Sequence, residues 1–383
     1  MADTLDKVKG RVGTGELPIR SSTIIVAEDH RVPQALTAYR APRLRHVLVA
    51  GWVALTLGAC RPGQRLPTVS RAFEAMGTVF SVAAWGADSG RLAQAIEQAR
   101  DSVRLVDSLL SAEDSGSELS RVNRAGKGAS LSPVFRTVLS VALEVAEHSQ
   151  GAFDPTRHNW RRIRFDSVAG RVALPRGEVL DLAWVANGYA LDRALLPLIP
   201  FADSAVLTMG GQYLLLSKGV RKPSARPGRS VGVMDPSNTL EPIAMIEIPP
   251  GTWAVSTTSQ AELPEALVDP RTGRPATRVR AVTAVGSGAM ATMAWSRAFF
   301  VLGCDSTLAL VTELRDLEVL CIDDRLRWSA GLDGRIRTTR DSAAVGSALA
   351  PVPAPAPAAA PAPSGSTKPR ASFGSSRSDR RTS

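Results

Sequence analysis

From Arg71 onward, strand-like and helix-like runs alternate, but not one for one, and this restricts the fold more than any other feature. AFEAMGTVFSVAAW (72–85) reads as strand, whereas RLAQAIEQARDSVRLVDSLLS (91–111) sets Leu92, Ile96, Val103, Val106 and Leu110 at helical spacing. SPVFRTVLSVALEVAEHSQG (132–151) opens with Ser132 as a cap and Pro133 at the first helical position, and Gly151 stops it. Strand-like runs follow at 204–216, 229–234, 242–248, 252–257 and 279–286. AMATMAWSRAFFVLG (289–303) then reads as a helix, and EVLCID and RLRWSA close the unit near residue 335. A doubly wound sheet needs a helix between successive parallel strands, which this pattern does not supply. The expectation is an α+β fold, mixed sheets with packed helices, in a single domain over 71–340.

The two ends read differently. Arg40, Arg43 and Arg45 precede a mostly apolar run, Val47 to Ala59, and then Leu57-Gly58-Ala59-Cys60. A charged start, an apolar stretch too short to span a bilayer comfortably and small residues before a cysteine make a bacterial lipoprotein signal. On this reading 1–59 is an N-terminal extension plus signal peptide, Cys60 is lipidated, and 60–70 is a tether. The domain is then extracytoplasmic, anchored to a membrane of the bacterial cell envelope. About forty residues before Arg40 is long for a signal, which a start codon near residue 40 would explain. A short buried helix is the other reading of the run. Residues 341–383 are Ala/Pro-rich, then Ser/Arg-rich, and are expected to be a disordered tail.

The formal charge of +10 suggests nucleic acid, but residues 1–59 carry +3 of it and 351–383 carry +4. No basic stripe with interleaved aromatics remains in the middle, so nucleic-acid binding is not expected. Cys304 and Cys321 could pair outside the cytoplasm or stay as two core thiols, and two cysteines make no framework. The histidines are His30, His46, His148 and His158, and no P-loop, GxGxxG, CxxC or HExxH occurs, so neither a zinc site nor a Ser–His–Asp triad is expected. What the chain offers instead is a set of turns: GAFDPT (151–156), DLAWVANGYALDRA (181–194), TMGGQ (208–212), VMDPS (233–237) and VDPRTGRPAT (268–277). An Asp-Pro turn caps nearby backbone N–H groups, and a glycine pair lets a ligand approach the backbone. Together they suggest a ligand crevice.

The order of these motifs resembles the FAD:protein FMN transferase family, the ApbE type. AMGTVFSV (75–82) is similar to its opening strand and SELSRVNRAG (117–126) to the loop after its first helix. GAFDPT, DLAWVANGYALDRA, TMGGQ, VDPRTGRPAT and AMATMAWSRAFFVLG resemble its FDPT, DLGGIAKGYAVD, LGGN, DPRTG and AMxADALATALFVLG segments, and the match runs from about residue 72 to 335. The resemblance implies a single ApbE-like, T-fold-like domain, a flavoprotein using FAD and Mg²⁺. FMN would be transferred to a threonine of a flavin-acceptor partner protein, with AMP released. Carried over, the implied flavin contacts are Met76, Asp154, Thr156, Asp181, Gly188, Tyr189, Gly210, Gly211, Asp269, Thr272 and Arg297.

The implied metal ligands are the Ala186 carbonyl and the side chains at 293 and 297, where the family has Asp and Thr and this chain has Met293 and Arg297. A thioether is a poor ligand for Mg²⁺ and a guanidinium repels it, so neither is expected to bind metal. Other departures are Asn187 for the family lysine, Ala266 for its histidine, Glu113 for its loop aromatic and Ala183-Trp184 for its glycine pair. Three readings of the final helix follow. Met293 packs and Arg297 reaches water over a retired site; Arg297 points inward and pairs with the FAD pyrophosphate; or another carboxylate, Asp269 before Asp305, recruits Mg²⁺. The alternative to a transferase is a catalytically inactive flavin-binding or scaffold lipoprotein.

Overall fold

Alternation along the central strands builds two cores, one on each face of the main sheet. In the computed structural model, which describes residues 25–28, 68–126, 128–156, 159–219, 229–261 and 266–339, the elements in chain order are as follows. They begin with β1 Ile25–Glu28, β2 Val69–Ala75, β3 Thr78–Trp85, α1 Ser89–Leu110, α2 Glu118–Ala125, β4 Ala129–Ser130 and α3 Pro133–His148. Then come β5 Arg164–Asp166, β6 Arg171–Ala173, α4 Ala183–Leu195, β7 Ser204–Met209, β8 Gln212–Ser217, β9 Arg229–Asp235, β10 Asn238–Ile248 and β11 Gly251–Ser259. The last are β12 Val268–Asp269, β13 Arg274–Pro275, β14 Ala281–Gly286, α5 Ala289–Leu302, α6 Cys304–Val311, β15 Leu317–Ile322, β16 Leu326–Trp328 and β17 Ile336–Thr338. Cys60, the apolar run before it and the 341–383 tail lie outside the described residues, among which no helix is long and apolar enough to cross a membrane.

Eight strands form one sheet in the order β16-β15-β14-β11-β8-β7-β3-β2, and β1-β9-β10-β17 form a second. Leu214, Leu216, Ala254, Val282, Ala284, Val319 and Cys321 face the helices. Their neighbours Leu215, Val255, Ala281, Val285, Leu320 and Ile322 face the second sheet, against Val231, Val233, Ala244 and Ile246. The result is a layer of helices, a sheet and a sheet. The α+β class expected from the sequence is the one observed. Where mixed sheets are expected, every pairing between described strands is antiparallel.

Three elements differ in detail from the sequence reading. The run 72–85 is a hairpin, turning at Met76 (φ 50) and Gly77 (φ 73), and 204–216 is another, turning at Gly210 (φ 55) and Gly211 (φ 80). Two successive positive φ values match the twist of two-residue hairpins, which is why glycine stands there. DLAWVANGYALDRA, expected as a turn, is mostly the helix α4, with Val185, Ala186, Asn187, Gly188, Ala190 and Leu191 all buried. Where both free thiols and a pair were open, Cys304 at the start of α6 and Cys321 in β15 form a disulfide.

Helices α1 and α3 follow expectation. Leu92, Ile96, Val103, Val106 and Leu110 are buried, and Ser132 caps α3 by accepting from the Phe135 N–H. Helix α5 is buried nearly all round, from Ala289 to Val301. Its first N–H, on Ala289, donates to both carboxylate oxygens of Asp192 on α4 at 3.2 Å, which ties the two helices at the end away from Trp184 and Arg297.

Candidate functional site

The GAFDPT turn is held from within. Asp154 Oδ1 accepts from the Thr156 N–H (2.8 Å) and hydroxyl (2.7 Å), and Oδ2 accepts from the Trp160 N–H (3.2 Å). Thr156 bridges to Leu180, and the Asp181 N–H donates to the Pro155 carbonyl at 2.9 Å, so this turn delivers the chain into α4. Asn123 on α2 clamps the same point, its amide donating to the Leu180 carbonyl (3.0 Å) and accepting from its N–H (2.9 Å). Asp181 then accepts from the Ala183 N–H at 3.1 Å, at the start of the helix.

The DPRTG turn is self-contained in the same way. The Asp269 carbonyl accepts from Thr272 (3.1 Å) and Gly273 (2.8 Å), and its carboxylate is gripped by Arg271 through Nε and Nη2, both at 2.9 Å. Burial alone raises the Asp269 pKa, but the hydrogen bonds and charge of Arg271 outweigh it and hold the carboxyl below its ordinary value. The two turns touch. A side chain placed on Gly151 (φ +83) would begin 3.3 Å from Trp160 Nε1 and 3.6 Å from Arg271 Cγ. The hairpin turns Met76-Gly77 and Gly210-Gly211 lie at one end of the main sheet, since Phe80 pairs with Met209, and the Met76 N–H donates to Asp107 at 3.0 Å.

The helix pair carries the charge. Met293 is 1% exposed and packed into the core beneath a hydroxyl cluster, in which Ser296 contacts Ser256 (2.8 Å) and Thr258 (3.1 Å) and donates to the Met293 carbonyl (2.9 Å). Arg297 is drawn in against α4 rather than extended into water, whereas Met293 packs as the first of the three readings has it. Although the residue keeps partial exposure, its Nη1 is fully buried without a hydrogen-bond partner. Its guanidinium carbon lies 3.5 Å from the centroid of the Trp184 ring. Burial pushes the guanidinium pKa down to about 9, and the charge of Asp181 opposes the fall. Among the described residues no carboxylate closes an ion pair with Arg297.

Among the carried-over residues, Asp154, Thr156, Asp181, Ala186, Gly188, Tyr189 and Arg297 lie on the FDPT turn or the α4–α5 pair, and Asp269 and Thr272 adjoin through Arg271. Glu113 and Ala266 are exposed. Asp107, Asn123, Arg271 and Trp160 are contributors the sequence reading did not single out; only the turn motifs they bind were visible there. A groove of about 440 Å³, lined by Ile163, Arg164, Phe165, Asp166, Arg171 and Val172, lies beside β4-β6-β5 and is lined by none of the candidate residues. Motif geometry locates the candidate site better than that open groove does.

Magnesium does not fit the residues present. A buried thioether and a guanidinium stand at the two side-chain positions that the sequence resemblance implies as ligands, and of the implied set only the Ala186 carbonyl is left. Asp269 is engaged by Arg271, and Asp305 is exposed and paired with Arg327 at 2.5 Å. Among the described residues no group of three or more His, Cys, Asp or Glu side chains is gathered to hold a metal ion.

A helix-backed antiparallel sheet carrying these turns defines the class of domain, and the comparisons give its family. The model of the ApbE family matches residues 76–159 and 156–321, and the chain belongs to that family. Solved structures share the fold. The ApbE protein from Thermotoga maritima is 23% identical, covering 70% of this chain and 99% of its own, with a TM-score of 0.60. The flavin transferase ApbE from Vibrio cholerae is 19% identical, covering 70% and 98%, with a TM-score of 0.58. The apo form of the flavinyl transferase ApbE from Pseudomonas stutzeri is 18% identical, covering 70% and 96%, also at 0.58. None of the curated protein sequences matches the chain.

Proposed function

We propose that this protein binds FAD where the FDPT turn, the α4–α5 pair and the DPRTG turn meet, and presents it for transfer of FMN to a threonine of a partner protein. The threonine oxygen would form a bond to the FMN phosphorus as its hydroxyl proton passes to solvent, the phosphorus–oxygen bond to AMP would break, and AMP would leave with the electron pair. The observation that carries this reading is the convergence of three motif segments distant in sequence. Asp181 is hydrogen-bonded to Pro155, and Gly151 packs beside Arg271. A second reading, FAD held without turnover, is favoured by Met293 and Arg297 at the positions where the family binds its metal.

The same proposal places the domain outside the cytoplasm on a lipidated Cys60. The run from Arg40 to Cys60 supports it, as does the Cys304–Cys321 disulfide, a bond that persists in oxidising compartments. The test is incubation of the full chain with FAD and a threonine-bearing acceptor, following acceptor mass and AMP, with and without chelator. Acceptor that gains FMN as AMP appears supports transfer. FAD retained with no AMP supports the second reading, and no FAD binding refutes both. A mature N-terminus other than a lipidated Cys60, read by mass, refutes the anchor.

A further inference from the structure

The α4–α5 pair carries a fixed cation where its family pattern calls for a bound one. Trp184 and Asn187 stand three residues apart on α4 and share a face; Met293 and Arg297 stand four apart and share a face of α5. The Arg297 guanidinium carbon lies over the Trp184 ring, 3.5 Å from its centroid, with Nη1 buried and unpartnered. Asn187 is 1% exposed, and its Nδ2 is likewise buried without a partner. Buried donors without acceptors are costly. Two of them lie on neighbouring helices, where an acceptor-rich ligand would satisfy them.

The charges also balance. An aspartate with one divalent ion carries a net +1; Met293 with Arg297 carries the same +1 with no ion. The two departures therefore compensate each other. A retained acid would have neutralised the guanidinium, and Met293 removes it. Guanidinium forks match phosphate oxygens in pairs, and stacking on an aromatic ring restricts the fork's orientation without consuming its donors.

We infer that Arg297, held against Trp184, replaces the divalent ion, so that this junction binds the pyrophosphate of FAD without metal. The inference rests on the FAD reading above and deepens it. A guanidinium supplies charge but no Lewis acid to template the leaving group, so binding survives metal removal better than transfer does.

The experiment titrates FAD into the full chain, followed by flavin and tryptophan fluorescence, in EDTA and in Mg²⁺, with inorganic pyrophosphate as a separate ligand. The dissociation constants in EDTA and Mg²⁺ agree within about twofold if Arg297 does the work of the ion. Arg297→Met weakens FAD at least about tenfold, and Arg297→Lys recovers part of that loss. The double variant M293D/R297T, which restores the family pattern, makes binding chelator-sensitive. Chelator abolishing FAD binding to the unaltered chain overturns the inference, as does an Arg297→Met protein that binds FAD equally well. Pyrophosphate binding that needs Arg297 and no metal, without FAD binding, refutes the FAD reading and leaves the anion site standing. Binding of neither ligand overturns both. Thermal unfolding checks that each variant is folded; if Arg297→Met is not, the Arg297→Lys and chelator arms decide.

Discussion

Arg297→Met should make the ligand-free protein more stable. Burial depresses the guanidinium from the ordinary arginine value to about 9. At about 1.4 kcal/mol per pH unit, that is a cost of about 5 kcal/mol for keeping the charge inside. The Trp184 ring returns about 2 kcal/mol at a desolvated site, and relaxation of a long side chain returns part of the rest. Removing the charge should then stabilise the fold by about 2 kcal/mol, because methionine is unbranched and fills irregular space. Urea unfolding of both full-length proteins at pH 7 reads this as a higher midpoint with an unchanged slope. The pH dependence gives a second check. The folded value lies below the unfolded one, so from about 9 up to the ordinary arginine value the unfolded chain binds more protons and the parent gains stability as pH rises. The variant lacks that gain, so its advantage shrinks above about pH 9. A variant less stable than the parent at pH 7, or an advantage indifferent to pH, would refute the account of Arg297 as a buried, under-compensated cation.

Three further outcomes follow from the same contacts. The Cys304–Cys321 bridge closes a separation of 17 residues; its loss should cost about 3 kcal/mol. Reductant should lower the parent's melting temperature while leaving the already less stable C304A/C321A protein unmoved, and an equal response in both would count against the bridge. Asp192→Ala removes the acceptor for the Ala289 N–H at the start of α5 and should cost about 1 kcal/mol in chemical unfolding, with Asp192→Asn recovering most of it. Asp269, held below its ordinary value by Arg271 against the effect of burial, adds stability above its unfolded value that disappears as pH falls through its folded value. The stability gap between the parent and Arg271→Gln should therefore narrow on acidification below about pH 4, and a constant gap would show that the pair does not couple to folding.

How legible the fold was depends on how one-sided each element is. Helices α1 and α3 each keep a solvent face, so their buried residues recur at helical spacing and their caps stand out. Helix α4 is buried on most sides, and Gly188 inside it resembles turn chemistry, so periodicity carried no signal there. The two misread strand runs failed for another reason. A two-residue turn such as Gly210-Gly211 is shorter than the window in which alternation is judged, and the strands either side continue the same apolar pattern.

The candidate site divides along the same line between local and non-local information. The Asp154–Thr156 and Asp269–Gly273 turns are closed by their own residues, so their chemistry was readable from a few adjacent letters. Arg297 was not, because the face it shares with Met293 says nothing about what lies opposite. Without the partner helix, a lone arginine among apolar residues is most economically solvated. Trp184 changes that balance: it supplies a flat, apolar, electron-rich surface on which a guanidinium can lie without an anion. Trp184, Met293 and Arg297, each a departure from the pattern that the sequence resemblance implies, thus make physical sense together. Any one alone would leave a clash, an empty ligand position or an unsupported buried charge. That joint sense is the reason for proposing a rebuilt anion site rather than a decayed metal site. Random loss of the acid would carry no requirement for an aromatic ring on the neighbouring helix.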